Sequence, residues 1–191
     1  MNNAYELLDA ALVFAARAHA HQKRKGTDTP YIVHPVGVML VLIEMGERDP
    51  ELLSAALLHD TVEDTGVTLE ELRNLFGARV AAIVEGCSEP DKSDTWEHRK
   101  LHTVEYLRTA PPDVQLVSAA DKLHNLRSLM QDEAQHGPEV WRRFKRGRAE
   151  TGWYYRAVAA SLSAGALREH PLIRELNALV TAFFPESDLS R

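Results

Sequence analysis

The sequence predicts an all-α single domain over residues 1–191, a bundle of about eight to ten helices. Three observations support this. Almost every segment places its apolar residues at helical spacing, and no stretch alternates with period two. Proline and glycine break the pattern at short intervals. No repeat, linker or low-complexity segment divides the chain. At 191 residues and 45% hydrophobic content, one core of ordinary size is affordable.

A capping box of Asn3 and Glu6 predicts a first helix from about Ala4 to His19, with Leu8, Leu12, Ala15 and His19 on one face. His21 to Tyr31, with Gly26 and Pro30, is a loop. His34-Pro35 starts a second helix, continued by Val38, Leu42 and Met45 and stopped at Gly46. Asp49-Pro50 is a cap followed by proline. Its helix carries Leu53, Ala56 and Leu57 and ends near His59-Asp60. Thr68 with Glu71 caps a short helix that Gly77 ends, and Ala78 to Cys87 is an apolar helix. Ser88 to Asp94, with Pro90, is a polar loop. Asp94 or Thr95 opens a helix reaching about Thr109, where Pro111-Pro112 interrupts. Asp113 to about Met130 is a strong helix with Val117, Ala120, Leu123 or His124, and Leu126 inward. After Gly137-Pro138, Glu139 to Leu167 forms one or two helices, and Pro171 to Phe184 a last one.

Charge and composition exclude several functions. A net charge of −6 argues against general binding to DNA or RNA, while local basic clusters or a metal leave a small anionic substrate open. No apolar run approaches the roughly 20 residues of a membrane span. Glu6 and Asp9 interrupt the first apolar stretch, so it does not read as a signal peptide. One cysteine, Cys87, permits no internal disulfide, reads as a small core residue and suits a reducing cytoplasm.

The most informative stretch is Leu57-Leu58-His59-Asp60-Thr61-Val62-Glu63-Asp64-Thr65. A run of buried-looking residues delivers His-Asp, and Glu-Asp follows within one turn. Carboxylates beside apolar surface are costly unless a cation holds them. His34, His59, Asp60 and Asp121 are the candidate metal ligands, each near the end or on the inner face of a predicted helix. Two imidazoles and two carboxylates suit Mn(II) or Fe(II) better than structural zinc. Lys23-Arg24-Lys25 is a cationic loop in an acidic chain; Arg24 can stack on a purine and Lys25 can meet a phosphate. Asn125 lies one turn beyond Asp121 on the same face. Of the other histidines, His124 is expected to pack or bond locally, and His19, His21, His98, His102, His136 and His170 to be structural or exposed.

The pattern His34 … His59-Asp60 … Asp121 resembles the HD superfamily of metal-dependent phosphohydrolases. Arg24-Lys25, Pro30-Tyr31-Ile32-Val33-His34-Pro35, His59 through Thr65 and Asp121-Lys122-Leu123-His124-Asn125-Leu126-Arg127 are similar to the hydrolase domain of the Rel/Spo alarmone enzymes. The similarity covers about Ala11 to Leu129. Together with the chain length and Trp153-Tyr154-Tyr155-Arg156 it resembles the stand-alone small alarmone hydrolases. The resemblance implies removal of the 3′-pyrophosphate of (p)ppGpp, giving GDP or GTP and pyrophosphate. It implies one Mn(II) on His34, His59, Asp60 and Asp121, with Glu63 and Asp64 positioning and activating the attacking water, and Arg24, Lys25 and Asn125 on the nucleotide. The resemblance departs at Gly26-Thr27-Asp28-Thr29, where the bifunctional enzymes have a shorter linker with a glutamate before the proline; this bears on base selectivity. Two alternatives stand beside this reading. One is an HD phosphohydrolase acting on another nucleotide, a nucleoside monophosphate or NADPH. The other is a catalytically inactive nucleotide-binding regulator.

Overall fold

The computed structural model describes residues 4–89, 93–144 and 146–185. Within them the chain is all-α, with one isolated antiparallel bridge, Lys23 to Pro30, and no strand. The order is α1 (Ala4–Ala18), α2 (Val33–Glu44), α3 (Pro50–Leu58), α4 (Thr61–Asp64), α5 (Leu69–Phe76), α6 (Ala78–Cys87), α7 (Trp96–Leu107) and α8 (Pro112–His136). A 3-10 segment (Gly137–Arg143) then leads to α9 (Gly147–Ser163) and α10 (Pro171–Phe183). Among the described residues no helix is long and apolar enough to cross a membrane. Asn3, half of the expected capping box, and Pro90 lie outside the described residues.

Local chemistry accounts for most boundaries. The Asp49 carboxylate accepts the Glu51 and Leu52 amides, and Thr68 and Thr95 accept those of Glu71 and His98. α2 begins one residue before His34-Pro35, which leaves Pro35 still in the first turn, where its missing amide is not needed. α8 runs past Met130 to His136 and stops at Gly137, at φ +65°. In α1 the buried residues are Ala11 and Ala15, while Leu12 is exposed; two small side chains let α1 lie close against α3.

α3 is the centre of the packing. It touches α1, α2, α6 and α8, and every residue from Leu52 to Leu58 is buried. Burying a leucine contributes roughly 1.5–3 kcal/mol, so this short helix is firmly anchored. The His59-Asp60 pair follows directly at its end. α8 packs on α2, α3, α6 and α10, which brings its middle turns beside the same end of α3.

Gly77 joins α5 to α6 at φ +93° and ψ 166°, a conformation that L side chains rarely adopt. A Cβ added there meets no atom within 4 Å, so any cost is in the backbone alone. Gly77→Ala is therefore expected to lower the unfolding free energy by about 1–3 kcal/mol. Urea denaturation checks this, with a lower midpoint at unchanged slope.

Candidate metal centre

The break between α3 and α4 carries the first half of the site. His59 caps the C-terminus of α3 and Asp60 the N-terminus of α4, so neither side chain is confined to one helical face. His34 comes from the first turn of α2 and Asp121 from the middle of α8. His34, His59 and Asp121 offer donor atoms that all lie within 4.8 Å of one another. Asp60 Oδ2 lies 3.1 Å from His59 Nε2 and 3.5 Å from His34 Nε2, and Asp121 Oδ1 lies 3.2 Å from His34 Nε2. Both imidazoles are almost wholly buried.

Hydrogen bonds around this cluster orient it. His59 Nδ1 donates to Ala56 O at 2.8 Å, which assigns the tautomer and leaves a lone pair on Nε2. That Nε2 is buried and has no hydrogen-bond partner. Tyr31 Oη donates to Asp60 Oδ2 at 2.6 Å. Lys122 Nζ donates to Asp121 Oδ2 at 2.5 Å and Asn125 Nδ2 to Asp121 Oδ1 at 2.6 Å. His34 Nδ1 and His124 Nδ1 are 2.9 Å apart.

The electrostatics point to a cation. Burial opposes ionisation of Asp60, but His59 and His34 hold its carboxyl well below the usual range. Burial likewise opposes ionisation of Asp121, and Lys122 and His34 hold it low. Burial disfavours a charged His59, yet Asp60 and Asp121 push it up to about 9. Burial and Asp60 raise the Tyr31 phenol well above its ordinary value, so it stays a donor. Burial and then His34 push His124 down to about 4, which keeps it neutral. The carboxylates thus call for positive charge at His59 Nε2, which falls to a proton on that imidazole unless a cation supplies it. A divalent metal ion fits this donor set, and its charge balances the two carboxylates.

The remaining predicted residues fall around the cluster. Two cavities share Tyr31, Lys122, Asn125 and Tyr154 as common walls. One, of about 480 Å³, is lined by the four candidate ligands together with Glu63, whose Oε2 accepts the Glu89 amide at 3.2 Å. Asp64 is not among its lining residues; its backbone carbonyl accepts from Gln22 Nε2 at 2.6 Å. The other, of about 690 Å³, is lined by Arg24, Lys25, Asn125, Arg143, Phe144 and Tyr155, among others. Arg24 donates to Asn125 Oδ1 at 2.8 Å and lies over the Tyr31 ring, and Lys25 Nζ sits 5.0 Å from the Phe144 ring centre. Gly26 to Thr29 forms the turn of a tight hairpin, in which the Arg24 amide bonds Thr29 O and Lys23 pairs with Asp28.

A model of the HD domain matches residues 11–151. The chain belongs to the HD domain family. Two vertebrate relatives are both named guanosine-3′,5′-bis(diphosphate) 3′-pyrophosphohydrolase MESH1. The human protein is 48% identical over 130 residues, 67% of this chain and 72% of its own. The zebrafish protein is 49% identical over 118 residues, 61% of this chain and 65% of its own. Among solved structures, a metazoan ortholog of SpoT that hydrolyses ppGpp superposes with a TM-score of 0.79 at 29% identity, over 93% of this chain and 94% of that one.

Within this HD domain several partners were not anticipated as parts of the site: Tyr31 on Asp60, Lys122 on Asp121, and Tyr154 between the cavities. Tyr31 sits three residues before His34 and Lys122 next to Asp121, so proximity in sequence was the available signal. Arg24 and Asn125, expected on the nucleotide, also bond each other, and Asn125 in turn bonds Asp121.

Proposed function

We propose that the chain hydrolyses the 3′-pyrophosphate of (p)ppGpp in a Mn(II)-dependent reaction, releasing GDP or GTP and pyrophosphate. One observation carries this reading. The His34, His59, Asp60 and Asp121 cluster borders a cavity that also holds the Glu63 carboxylate, and a second, cationic and aromatic cavity adjoins it. The names of the vertebrate relatives support the same substrate. The two-imidazole, two-carboxylate donor set supports Mn(II).

His34, His59, Asp60 and Asp121 would hold the Mn(II) ion, which when bound would supply Lewis-acid polarisation of a phosphoryl oxygen and acidify water. Glu63 takes a proton from the attacking water, held for this by the Glu89 amide, and Asp64 is the second carboxylate of the pair. Water oxygen forms a bond to the phosphorus attached at the ribose 3′ oxygen. The bond from that phosphorus to the 3′ oxygen breaks, and the 3′ oxygen ends protonated. Arg24 offers a planar guanidinium to the purine and Lys25 a point charge to phosphate. Tyr31 and Lys122 hold Asp60 and Asp121 in place. A cytoplasmic location agrees with this substrate.

The test is turnover of ppGpp with added Mn(II), with products resolved by anion-exchange chromatography. GDP and pyrophosphate are expected, and chelator should abolish both. Intact ppGpp in the presence of Mn(II)-loaded protein would overturn the substrate and leave the metal centre standing.

A further inference from the structure

We propose that His124 is a positioning residue for the metal centre: it accepts the Nδ1 proton of His34 and so turns the His34 Nε2 lone pair toward Asp60 and Asp121. The inference rests on the metal-site reading above.

Two observations carry it. The first is the contact between the imidazoles, with Nδ1 to Nδ1 at 2.9 Å and ring centres 5.0 Å apart at 45°. At that distance one nitrogen donates and the other accepts. If His124 donated, the His34 proton would sit on Nε2, which faces Asp121 Oδ1 at 3.2 Å and Asp60 Oδ2 at 3.5 Å. A protonated Nε2 has no lone pair for a cation. The tautomer of His34 that can ligate is therefore the one in which His124 accepts. A ligating histidine ordinarily gives its second ring proton to a carboxylate, a carbonyl or water; here another imidazole takes that place.

The second observation is the room made for the ring. Gly37 lies one turn after His34 on α2. A Cβ at position 37 would fall 2.1 Å from His124 Nε2 and 2.3 Å from Cδ2. Any side chain there would push the His124 ring away from His34. α2 thus presents both the ligand and the opening that admits its partner.

The test uses the full chain, stripped with chelator and titrated calorimetrically with Mn(II) alone. His124→Asn keeps an acceptor where Nδ1 stood; His124→Phe keeps the ring and has none. The Phe variant is expected to bind Mn(II) roughly 10- to 100-fold more weakly, and the Asn variant close to the unsubstituted protein. Gly37→Ala should weaken binding in the His124 background and add nothing in a His124→Ala background. Unchanged affinity in the Phe variant overturns the proposal, as do equal losses in Asn and Phe, which would mean the ring only fills space. Should the Phe variant fail to fold by circular dichroism, additive losses in the Gly37 and His124→Ala cycle overturn it instead. An unsubstituted protein that takes up no Mn(II) overturns the metal reading and this proposal together; normal uptake with an indifferent Phe variant overturns this proposal alone.

Discussion

Asp60→Ala is expected to remove metal and turnover together. Asp60 Oδ2 faces both imidazoles, at 3.1 and 3.5 Å, and its other partner is the Tyr31 hydroxyl. Alanine deletes one of the two carboxylates in the proposed ligand set. The loss of Mn(II) affinity should exceed the roughly 10- to 100-fold that follows from removing a ligand's hydrogen-bond partner. The fold should survive, because the side chain belongs to a cavity wall and the packing of α3 ends one residue before the doublet. Metal content and ppGpp turnover measured on the same preparation check this. Full metal with full turnover would take Asp60 out of the centre.

Glu63→Gln should separate the two properties that Asp60→Ala joins. Glutamine keeps the shape and can still accept the Glu89 amide, but it cannot take a proton. Mn(II) binding and KM should stay close to those of the unsubstituted protein, while kcat falls on the order of 10²- to 10⁴-fold, the usual scale for a proton-transfer group. Calorimetry with Mn(II) beside steady-state kinetics with ppGpp provides the measurement. A loss confined to metal affinity would make Glu63 a ligand in place of a base.

Helix boundaries set by local chemistry were legible in the sequence. Asp49 and Thr68 cap where they were expected to, and Thr95 is the cap of the two residues expected there, because an N-cap involves only a side chain and amides two or three residues away. Boundaries decided by packing were less legible. α8 continues past Met130 in contact with α10 and the 3-10 segment until Gly137 ends it, and α1 buries Ala11 where Leu12 was expected, because a close approach to α3 favours the smaller side chain. The candidate site divides in the same way. The residues that converge, His34, His59, Asp60 and Asp121, carry motif spacing that can be read along the chain. Their supports do not. The Tyr31 bond to Asp60 spans 29 positions, the His34 contact with His124 spans 90, and the Arg24 bond to Asn125 spans 101. Such pairs exist only after α2, α3 and α8 have docked, so the sequence alone has His124 packing or bonding locally.

That the last member of the cluster is supplied by α8 orders events during synthesis. His34, His59 and Asp60 leave the ribosome first and have helices of their own, yet without Asp121 they hold only half of the carboxylate charge. Chains grow from the N-terminus and fold as their segments become available. On the proposed reading, the four-residue cluster is therefore complete only once α8 has emerged and settled beside α2.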